Sequence, residues 1–400
     1  MTPRVTHKRT YEETHPWLTF TVDLKHAPTS LWLLLGEARS KINHIAYSPL
    51  KPETARQMHL VFLAKGALAT TAIEGNTLTE DEVLKLVQGK LKLPPSQEYL
   101  AHEIENIVNA FNEICDEVLD GSTRRLTPDL ITEYNGKILK GLELEEGVVP
   151  GELRSGSVIV GRYRAAPRED LDYLLERLCE WLEAEWYEPT DDWALPMAIL
   201  KAIAAHLYLA WIHPFGDGNG RTARLMELRI LLAAGVATPA VHLLSNHYNL
   251  TRAEYYRQLD RASRTGDPLG FFVYAVQGFV DGLRDQLNRI ADQQFDDRWE
   301  QYVYETFGKL RTETDHRRLD LALALSDQEE PVPQSALRHL TPELAEAYAG
   351  TVRTLGRDVN ALEKMGLVER VRGGYRARSH IIRSFLPLSA SQDGEVLARL

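Results

Sequence analysis

The sequence predicts a mainly α-helical protein with one small β-hairpin and a C-terminal unit of helices and two strands. Apolar residues recur at steps of three and four through most of the first 300 residues, which gives a helix one apolar face. A single glycine-flanked stretch with β-branched residues, Leu153–Ala165, interrupts this pattern and is typical of a short hairpin, with Ser157–Val160 as its strand-like part. Near residue 310 the composition shifts, which marks a separate C-terminal unit.

The composition is that of a folded protein. Hydrophobic residues make up 44% of the 400 residues and charged residues 26%, enough to build a core. The net charge of −11 argues against a protein that coats nucleic acid along its whole surface, but leaves room for a local basic patch. We find no apolar run of the ~18–20 residues that span a bilayer, and the N-terminus lacks the apolar centre of a secretory signal.

The cysteines indicate a reducing compartment. Cys115 and Cys179 each lie among helix-period apolar residues, away from any CxxC or Cys/His cluster. We expect both to be buried free thiols, which is typical of a cytoplasmic protein.

Local signals place the helices. Thr79 and Glu82 form a capping-box pattern, and Thr127 before Pro128 marks another helix start. A further helix should begin at Pro167. Two segments complete the prediction: the strongly periodic Ser96–Leu119, and Trp193–Ile212, which is apolar nearly all round and should lie at the centre of a bundle.

The run HPFGDGNGRTAR, His213 to Arg224, combines an anion-binding loop with helix ends. A long apolar helix should end at Ile212, and a second helix should begin near Arg221. Three glycines between them let successive N–H groups point into one concavity, where the helix dipole adds positive charge. Arg221 and Arg224 add donors suited to phosphate oxygens. The run is not a Walker A loop, since the Gly-Lys-Ser/Thr ending is missing.

His213 and Asp217 turn this anion site into a candidate reactive site. A histidine with an ordinary pKa near ~6.5 can take a proton from an attacking hydroxyl. Asp217 is a hard oxygen ligand that could hold Mg²⁺, which binds one or two carboxylates plus substrate phosphates. Either residue alone is usually a partner of a helix end. Together within twelve residues they predict a phosphoryl- or nucleotidyl-transfer site.

This run resembles the motif of the Fic family, HxFx(D/E)GNGRxxR, at every specified position, and the resemblance extends over roughly Ala27–Phe279. It implies a Fic-type helical bundle with a β-hairpin flap, which Leu153–Ala165 would supply. It also implies transfer of AMP from ATP to a Ser, Thr or Tyr hydroxyl of a target protein, or of the protein itself. The flap would hold the target segment by strand addition.

The resemblance also implies residue roles. His213 would be the general base, and Asp217 would hold Mg²⁺. The residues expected to bind the ATP phosphates, through the backbone nest or as cationic donors, are Gly218, Asn219, Gly220, Arg221 and Arg224. A weaker resemblance in Leu244–Leu259 to the adenine-pocket stretch makes Asn249, Tyr255 and Tyr256 candidates, although the tyrosines fit a core position as well.

A second segment, TTAIEGN at Thr70–Asn76, resembles the family's inhibitory motif, (S/T)xxxE(G/N). Thr70 and Glu74 lie four residues apart and so share one helix face, and Gly75 follows as a C-cap. By resemblance, Glu74 would pair with Arg224, occupy the γ-phosphate position and keep the resting enzyme weak. A motif placed before the core is typical of Fic proteins often found as dimers, so a homodimer is a candidate assembly.

The C-terminal unit has the layout of a winged helix-turn-helix: a helix around Arg317–Leu325, a helix over Thr351–Met365 that ends at Gly366, and two strands around Gly373–Gly374. A basic wing favours DNA. Its arginines are Arg370, Arg372, Arg376, Arg378 and Arg383, against one acid, Glu369. In the presumed recognition helix, however, Asp358 and Glu363 would oppose phosphate. DNA is therefore a weaker candidate partner than a target protein.

We divide the chain into an N-terminal helical region with the inhibitory motif (1–110), a Fic catalytic core (111–300) and a winged helix-like domain (301–400). Three functions stay open: AMP transfer restrained by Glu74, AMP removal in which Glu74 positions water, and a DNA-binding regulator whose Fic part senses nucleotide. The intact His213 and Asp217 argue against the regulator, which needs neither base nor metal ligand. A donated group other than AMP also stays open.

Overall fold

The computed structural model describes residues 8–161, 163–186, 192–309, 312–349 and 352–383. The chain forms two compact units, Met1–Ile290 and Ala291–Leu400. The α-helices that begin in the first unit are α1 (Thr10–Thr14), α2 (Thr29–Tyr47), α3 (Pro52–Ala72), α4 (Glu80–Val87), α5 (Glu98–Leu119), α6 (Pro128–Ile138), α7 (Leu171–Glu180), α8 (Ala194–Ile212), α9 (Asn219–Ala233), α10 (Leu243–Leu250), α11 (Arg252–Thr265) and α12 (Leu269–Phe307). Its strands are β1 (Ile159–Val160) and β2 (Tyr163–Arg164).

Local signals in the sequence set the starts of α4 and α6. Thr79 and Glu82 form the capping box at the start of α4, and Thr127 accepts a hydrogen bond from the backbone N–H of Leu130 at the start of α6. At the start of α5, a 3₁₀ turn over Pro95–Gln97 delays the helix to Glu98. These predictions are confirmed to within two residues.

Helix α8 forms the centre of the first unit, as its all-round apolar sequence predicts. Its 19 residues are long and apolar enough to cross a membrane by length and composition, so the expectation that the chain holds no such run was wrong. Of that apolar stretch, 78% is buried inside the protein, as in the core helix of a globular fold. Cys179, also in this unit, is buried and free, whereas Cys115 is free but only partly buried.

The β-hairpin is shorter than Leu153–Ala165. Strands β1 and β2 pair antiparallel, with Ile159 opposite Arg164. Leu153 instead forms a bridge with Phe215 in the loop between α8 and α9. The hairpin is therefore shortened because its first residues pair with that loop rather than with its second strand.

The second unit contains α13 (Glu313–Ser326), α14 (Pro342–Ala347), α15 (Val352–Lys364), β3 (Val368–Val371) and β4 (Gly374–Ala377). Strands β3 and β4 form an antiparallel hairpin, and Val332 adds a bridge to Tyr375, with N–O distances of 2.8 Å in both directions. No pattern in the sequence predicts this bridge. Of the helix predicted over Thr351–Met365, Thr351 lies outside the described residues, and α15 ends at Lys364, just before Gly366 (φ 77°).

Asp358 does not lie on the outer face of α15. It is 1% exposed. Its carboxylate accepts hydrogen bonds from Nε of Arg317 at 2.8 Å and Nε of Arg318 at 2.7 Å, and from the hydroxyl of Tyr348 at 3.2 Å. The expectation that Asp358 opposes a phosphate was wrong, because this side chain is a buried ion-pair partner inside the unit.

Candidate functional site

The loop between α8 and α9 places His213 at the C-cap of α8 in the left-handed region, with φ 50°. A non-glycine residue rarely adopts this conformation without support from its surroundings. Gly218 (φ 76°) then leads into α9, which begins at Asn219. The Asn219 side chain holds the loop closed, since it both donates to and accepts from the backbone of Phe215 at 2.9 Å. The side chain of Asn219 is therefore engaged in holding the loop, and its backbone N–H lies in the first turn of α9.

Asn135 of α6, which the sequence analysis did not find, supports the same loop. Its fully buried side chain donates to the carbonyl of Asp217 at 3.0 Å and accepts from the N–H of Gly151 at 3.0 Å. A Cβ at Gly218 would lie 2.9 Å from Nδ2 of Asn135. The glycine in the motif is therefore required by this close approach as well as by its backbone conformation.

Arg154 connects the hairpin to the loop between α8 and α9. Its guanidinium is buried and donates from Nε to the carbonyl of His213 at 2.8 Å, and from its other nitrogens to the carbonyls of Gly156 and Ala166. Its backbone N–H donates to the carbonyl of Pro214 at 3.0 Å. These bonds hold His213 in its unusual backbone conformation. No sequence pattern marks Arg154, because an arginine in a glycine-flanked hairpin is usually solvent-exposed.

The environment of His213 keeps its imidazole neutral. Burial, together with the nearby charge of Arg154, lowers the pKa of His213 to about 4, against smaller opposing effects of the Ala210 carbonyl, Glu74 and Asp217. The ring is therefore unprotonated near pH 7. A neutral imidazole has one ring nitrogen without a proton, and that nitrogen can accept one.

The N-terminus of α9 faces Glu74. Arg224 is 1% exposed and donates from Nη2 to Oε1 of Glu74 at 2.6 Å and to the carbonyl of Thr70 at 2.8 Å. Burial opposes the ionisation of Glu74, but the charge and hydrogen bond of Arg224 outweigh it and hold the pKa of that carboxyl below its ordinary value. A methyl group at Gly220 would overlap Oε1 of Glu74. The carboxylate thus lies against the helix end where an anion is stabilised.

Thr70 and Glu74 of the predicted inhibitory motif reach Arg224 in different ways. Helix α3 ends at Ala72, so Glu74 lies in the turn that follows and not on the helix itself. Gly75 (φ 112°) completes that turn. Thr70 contributes its backbone carbonyl to Arg224, rather than its hydroxyl.

Arg224 also has hydrogen-bond donors that are not used within the protein. Its Nε and Nη1 are buried and have no hydrogen-bond partner among the described residues. Buried donors in folded proteins are normally satisfied. Since Arg224 lines the cavity described below, the oxygens of a phosphate bound there would supply the missing acceptors.

A second ion-pair network connects the motif loop to the segment after Glu74. Arg221 donates from Nη2 to both carboxylate oxygens of Asp217 at 3.0 Å, and from Nη1 to Oε1 of Glu103 at 3.1 Å. The other oxygen of Glu103 accepts from Nδ2 of Asn76 at 2.9 Å. Glu103, on α5, therefore shares the charge of Arg221 with Asp217. No sequence pattern marked it, because it lies 118 residues from Arg221.

Asp217 suits a magnesium ion that is shared with a nucleotide. Its side chain is 47% exposed, so solvent and phosphate oxygens can reach it. No group of three or more His, Cys, Asp and Glu side chains that could hold a metal occurs within the described residues. A single carboxylate fits Mg²⁺, which keeps several waters and binds substrate phosphates, but does not fit a metal held by protein ligands alone.

These residues meet at a cavity of about 570 Å³, within the size range of small-molecule sites. Its lining combines His213, the end of the predicted inhibitory motif, the α9 N-terminus and the hairpin. The residues that carry these features are Glu74, Val160, Gly161, Tyr163, His213, Asn219, Gly220 and Arg224. Asp217 and Arg221 lie in the network beside this cavity.

Tyr255 and Tyr256 also line the cavity, whereas the half-buried Asn249 is not among its lining residues in the described chain. Tyr255 is 3% exposed, and its hydroxyl lies 2.9 Å from Nε2 of the fully buried His206. Tyr255 is thus both a core residue and part of the cavity wall. Tyr256 is the more exposed of the two tyrosines.

Comparison with known proteins agrees with this geometry. Residues 125–231 match the sequence model of the Fic/DOC family. Protein adenylyltransferase fic-1 of Caenorhabditis elegans is 28% identical over 263 residues, which cover 64% of this chain and 48% of that protein. Protein adenylyltransferase Fic of Culex quinquefasciatus is 30% identical over 223 residues, 56% of this chain and 40% of that protein. The chain thus spans about half or less of the length of these curated relatives.

Solved structures show the fold. A Fic family protein from Desulfovibrio desulfuricans G20 aligns with a TM-score of 0.52 at 20% identity, over 88% of this chain and 96% of that one. Fic-1 of C. elegans aligns with a TM-score of 0.51 at 22% identity, over 65% of this chain and 72% of that one. The resemblance to the Fic family is therefore confirmed for the region that contains the motif, and the fold is mainly helical, as predicted.

Proposed function

We propose that this protein is a protein adenylyltransferase, which transfers AMP from ATP to a Ser, Thr or Tyr hydroxyl of a target protein or of itself, and which Glu74 restrains. One observation carries the proposal. A neutral His213, the α9 N-terminus at Gly220 and a buried Arg224 with unbonded donors line the same cavity. A base beside an anion nest is the arrangement that nucleotidyl transfer to a hydroxyl requires.

The nucleotide phosphates would lie against the first turn of α9. The backbone N–H groups of Asn219 and Gly220 and the unbonded donors of Arg224 would donate hydrogen bonds to the phosphate oxygens. The N–H of Gly218 donates to the Asp217 carboxylate in this structure, so it would reach a phosphate only if that bond opens. Tyr255 and Tyr256 line the same cavity, where the nucleoside would lie. Mg²⁺ bound through Asp217 and phosphate oxygens would neutralise part of the phosphate charge.

In the transfer step, the target hydroxyl oxygen attacks the α-phosphorus of ATP. The new bond joins that oxygen to phosphorus, while the bond from phosphorus to the bridging oxygen breaks and pyrophosphate leaves. The hydroxyl proton passes to the unprotonated ring nitrogen of His213, which can accept it because its imidazole is neutral near pH 7. The target keeps AMP in phosphodiester linkage.

The hairpin would act as the flap that aligns the target. Val160 and Gly161 line the cavity, and Ile159 and Val160 are both exposed. An exposed strand edge can add a target segment as a further strand. Arg154 connects the start of this hairpin to the carbonyl of His213. The hairpin would therefore hold the target hydroxyl at a fixed position relative to the general base, His213.

Inhibition would arise from competition for one site. The Glu74 carboxylate lies against Gly220 and uses Nη2 of Arg224, both of which an ATP phosphate would need. ATP would then either fail to bind or bind with its α-phosphate misaligned for attack by the target hydroxyl. Release of Glu74 would free the nest, and the loss of its nearby negative charge would leave the imidazole of His213 neutral, since Glu74 is one of the groups that raise the pKa of His213.

The test compares wild type, Glu74→Gly and Glu74→Gly/His213→Ala with α-labelled ATP and Mg²⁺. Each purified protein is incubated alone and with cell lysate, and the label on denatured protein is measured. We expect Glu74→Gly to gain at least about 10-fold over wild type, an effect of ~1.4 kcal/mol, and the double variant to lose about 10²–10⁴-fold. Glu146→Gly, the same substitution in an exposed turn, is the matched control and should behave as wild type.

Absence of label in all three proteins would overturn the transferase proposal. Release of AMP from protein that has been labelled beforehand would then favour removal, with Glu74 positioning water. Parallel reactions with α-labelled GTP, CTP and UTP distinguish AMP from other donated groups.

Sedimentation of the purified protein tests the proposed homodimer, and cell fractionation tests the proposed cytoplasmic location.

A further inference from the structure

The outer face of α15 carries a basic stripe. Arg353, Arg357, Asn360 and Lys364 follow one another at steps of four, three and four residues, so they share one helix face. All four are exposed. The opposite face is buried in the second unit through Leu355, Val359 and Leu362. The stripe is thus the free surface of a helix whose other side is fixed in a core.

The acids of this segment do not cancel the stripe. Between residues 352 and 383 there are eight arginines and lysines against three acids. Asp358 is buried and neutralised by Arg317 and Arg318, and Glu369 is paired with Arg376 at 2.6 Å. Of these three acids, Glu363, which is partly buried, is the one that stays near the stripe. The surface of α15 is therefore locally cationic in a chain whose net charge is −11.

The β3–β4 hairpin presents two further cations. Arg370 and Arg372 are exposed beside its turn. Gly374 has φ 154°, and a methyl group there would overlap the backbone of Val332. The bridge between Val332 and Tyr375 joins this hairpin to the rest of the unit. The arginines are therefore held on a fixed support.

We propose that the C-terminal unit is a winged helix-turn-helix that binds duplex DNA. The α15 stripe enters the major groove, which is wide enough for a helix, and arginine and asparagine are the side chains that read guanine and adenine edges there. Arg370 and Arg372 on the wing contact phosphates. This activity goes beyond AMP transfer and does not depend on it.

The test measures binding of the full-length protein to a fluorescein-labelled 30-base-pair duplex of random sequence, by anisotropy, across a KCl titration. We expect salt-dependent binding, because each neutralised phosphate releases counterions. Arg353→Glu/Arg357→Glu should weaken binding at least about 10-fold, and the slope of log affinity against log salt should fall by about two. Arg370→Glu/Arg372→Glu should lower the slope similarly.

Lys90→Glu/Lys92→Glu is the matched control, since both lysines are exposed in the first unit and the change in net charge is the same. This control and His213→Ala should bind DNA as wild type does, which separates DNA binding from AMP transfer. Circular dichroism checks that each variant is folded. Wild type without salt-dependent binding, an equal loss in the lysine control, or tighter binding to single-stranded RNA of equal length would overturn the proposal.

Discussion

Two pairs of arginines, each on one helix, are used in opposite ways. Arg221 and Arg224 on α9 are 4% and 1% exposed, and each donates to a carboxylate brought in from another helix or turn. Arg353 and Arg357 on α15 are exposed, and the acid nearest to them in sequence, Asp358, is turned inward. The first pair organises a cavity, and the second pair presents charge to solvent.

Because of this difference in burial, the two pairs should respond differently to substitution. A buried cation depends on each of its partners, since loss of one leaves charge or polar groups uncompensated in a medium of low polarity. An exposed cation is solvated, so its loss alters binding and salt dependence but little else. Substitutions on α9 and around it should therefore have large, specific effects, and those on α15 small effects on stability.

Arg224→Met should have the largest effect. Built into the Glu74→Gly background, it removes the donors that would hold the ATP phosphates, and we expect the labelling rate to fall about 100-fold or more, ~3 kcal/mol. The measurement is the initial rate with α-labelled ATP. Arg125→Met, which alters an exposed arginine of the same unit, should keep the rate. An undiminished rate in Arg224→Met would mean that phosphate binding lies elsewhere.

Arg154→Met tests the buried arginine of the hairpin. It leaves the carbonyls of His213, Gly156 and Ala166 without a donor. We expect a loss of about 3 kcal/mol in the free energy of unfolding, as each buried polar group costs ~1–3 kcal/mol when unsatisfied. Urea denaturation measures it. A loss no greater than that of Arg125→Met would show that Arg154 does not fix the loop.

Glu103→Gln tests the charge shared through Arg221. The substitution keeps the shape of the side chain but removes the negative charge that competes with Asp217 for Arg221. Arg221 should then bind Asp217 more tightly, so that Asp217 binds Mg²⁺ more weakly. In the Glu74→Gly background we expect the Mg²⁺ concentration for half-maximal labelling to rise about 10-fold, ~1.4 kcal/mol.

The control for Glu103→Gln is Glu105→Gln, an exposed residue on the same helix. Calorimetric binding of ATP with and without Mg²⁺ gives a second readout, independent of turnover. If the two variants have the same Mg²⁺ dependence, Glu103 has no influence on Asp217.

The rate should be nearly insensitive to pH across the range where histidines ordinarily titrate. Burial and Arg154 lower the pKa of His213 to about 4, so its basic form persists as pH falls from 8 to 5 and is lost only towards pH 4. We expect kcat/KM of Glu74→Gly to change less than about 2-fold between pH 8 and 5. An unperturbed histidine would give a ~30-fold fall. A midpoint near 6.5 would contradict the buried environment of His213.

The smallest effect is expected on α15. Arg353→Ala/Arg357→Ala removes two solvated side chains from a helix whose opposite face is packed, and the free energy of unfolding should change by no more than about 0.5 kcal/mol. Urea denaturation, run beside Arg154→Met, gives the comparison directly. A loss of several kcal/mol would show that these arginines have structural partners.

Prediction from the sequence worked best where the structure is local. In each capping pair that starts α4 or α6, the two residues are three positions apart. A short stretch of sequence therefore contains the whole interaction. The hairpin was overestimated, because Leu153 pairs with Phe215, which no local pattern reveals. Asp358 was placed on the wrong face, because Arg317 and Arg318 draw it inward from another helix.

The candidate reactive loop can be identified from the sequence alone, since His213, the glycines and Arg224 lie within twelve residues and follow one helix–loop–helix turn. The residues that meet this loop are set by tertiary packing. Glu74 reaches Arg224 across 150 residues, Glu103 reaches Arg221 across 118, and Arg154 reaches His213 across 59. Local geometry is fixed by backbone conformations a few residues long, whereas ion pairs, burial and the lowered pKa of His213 depend on packing between distant helices.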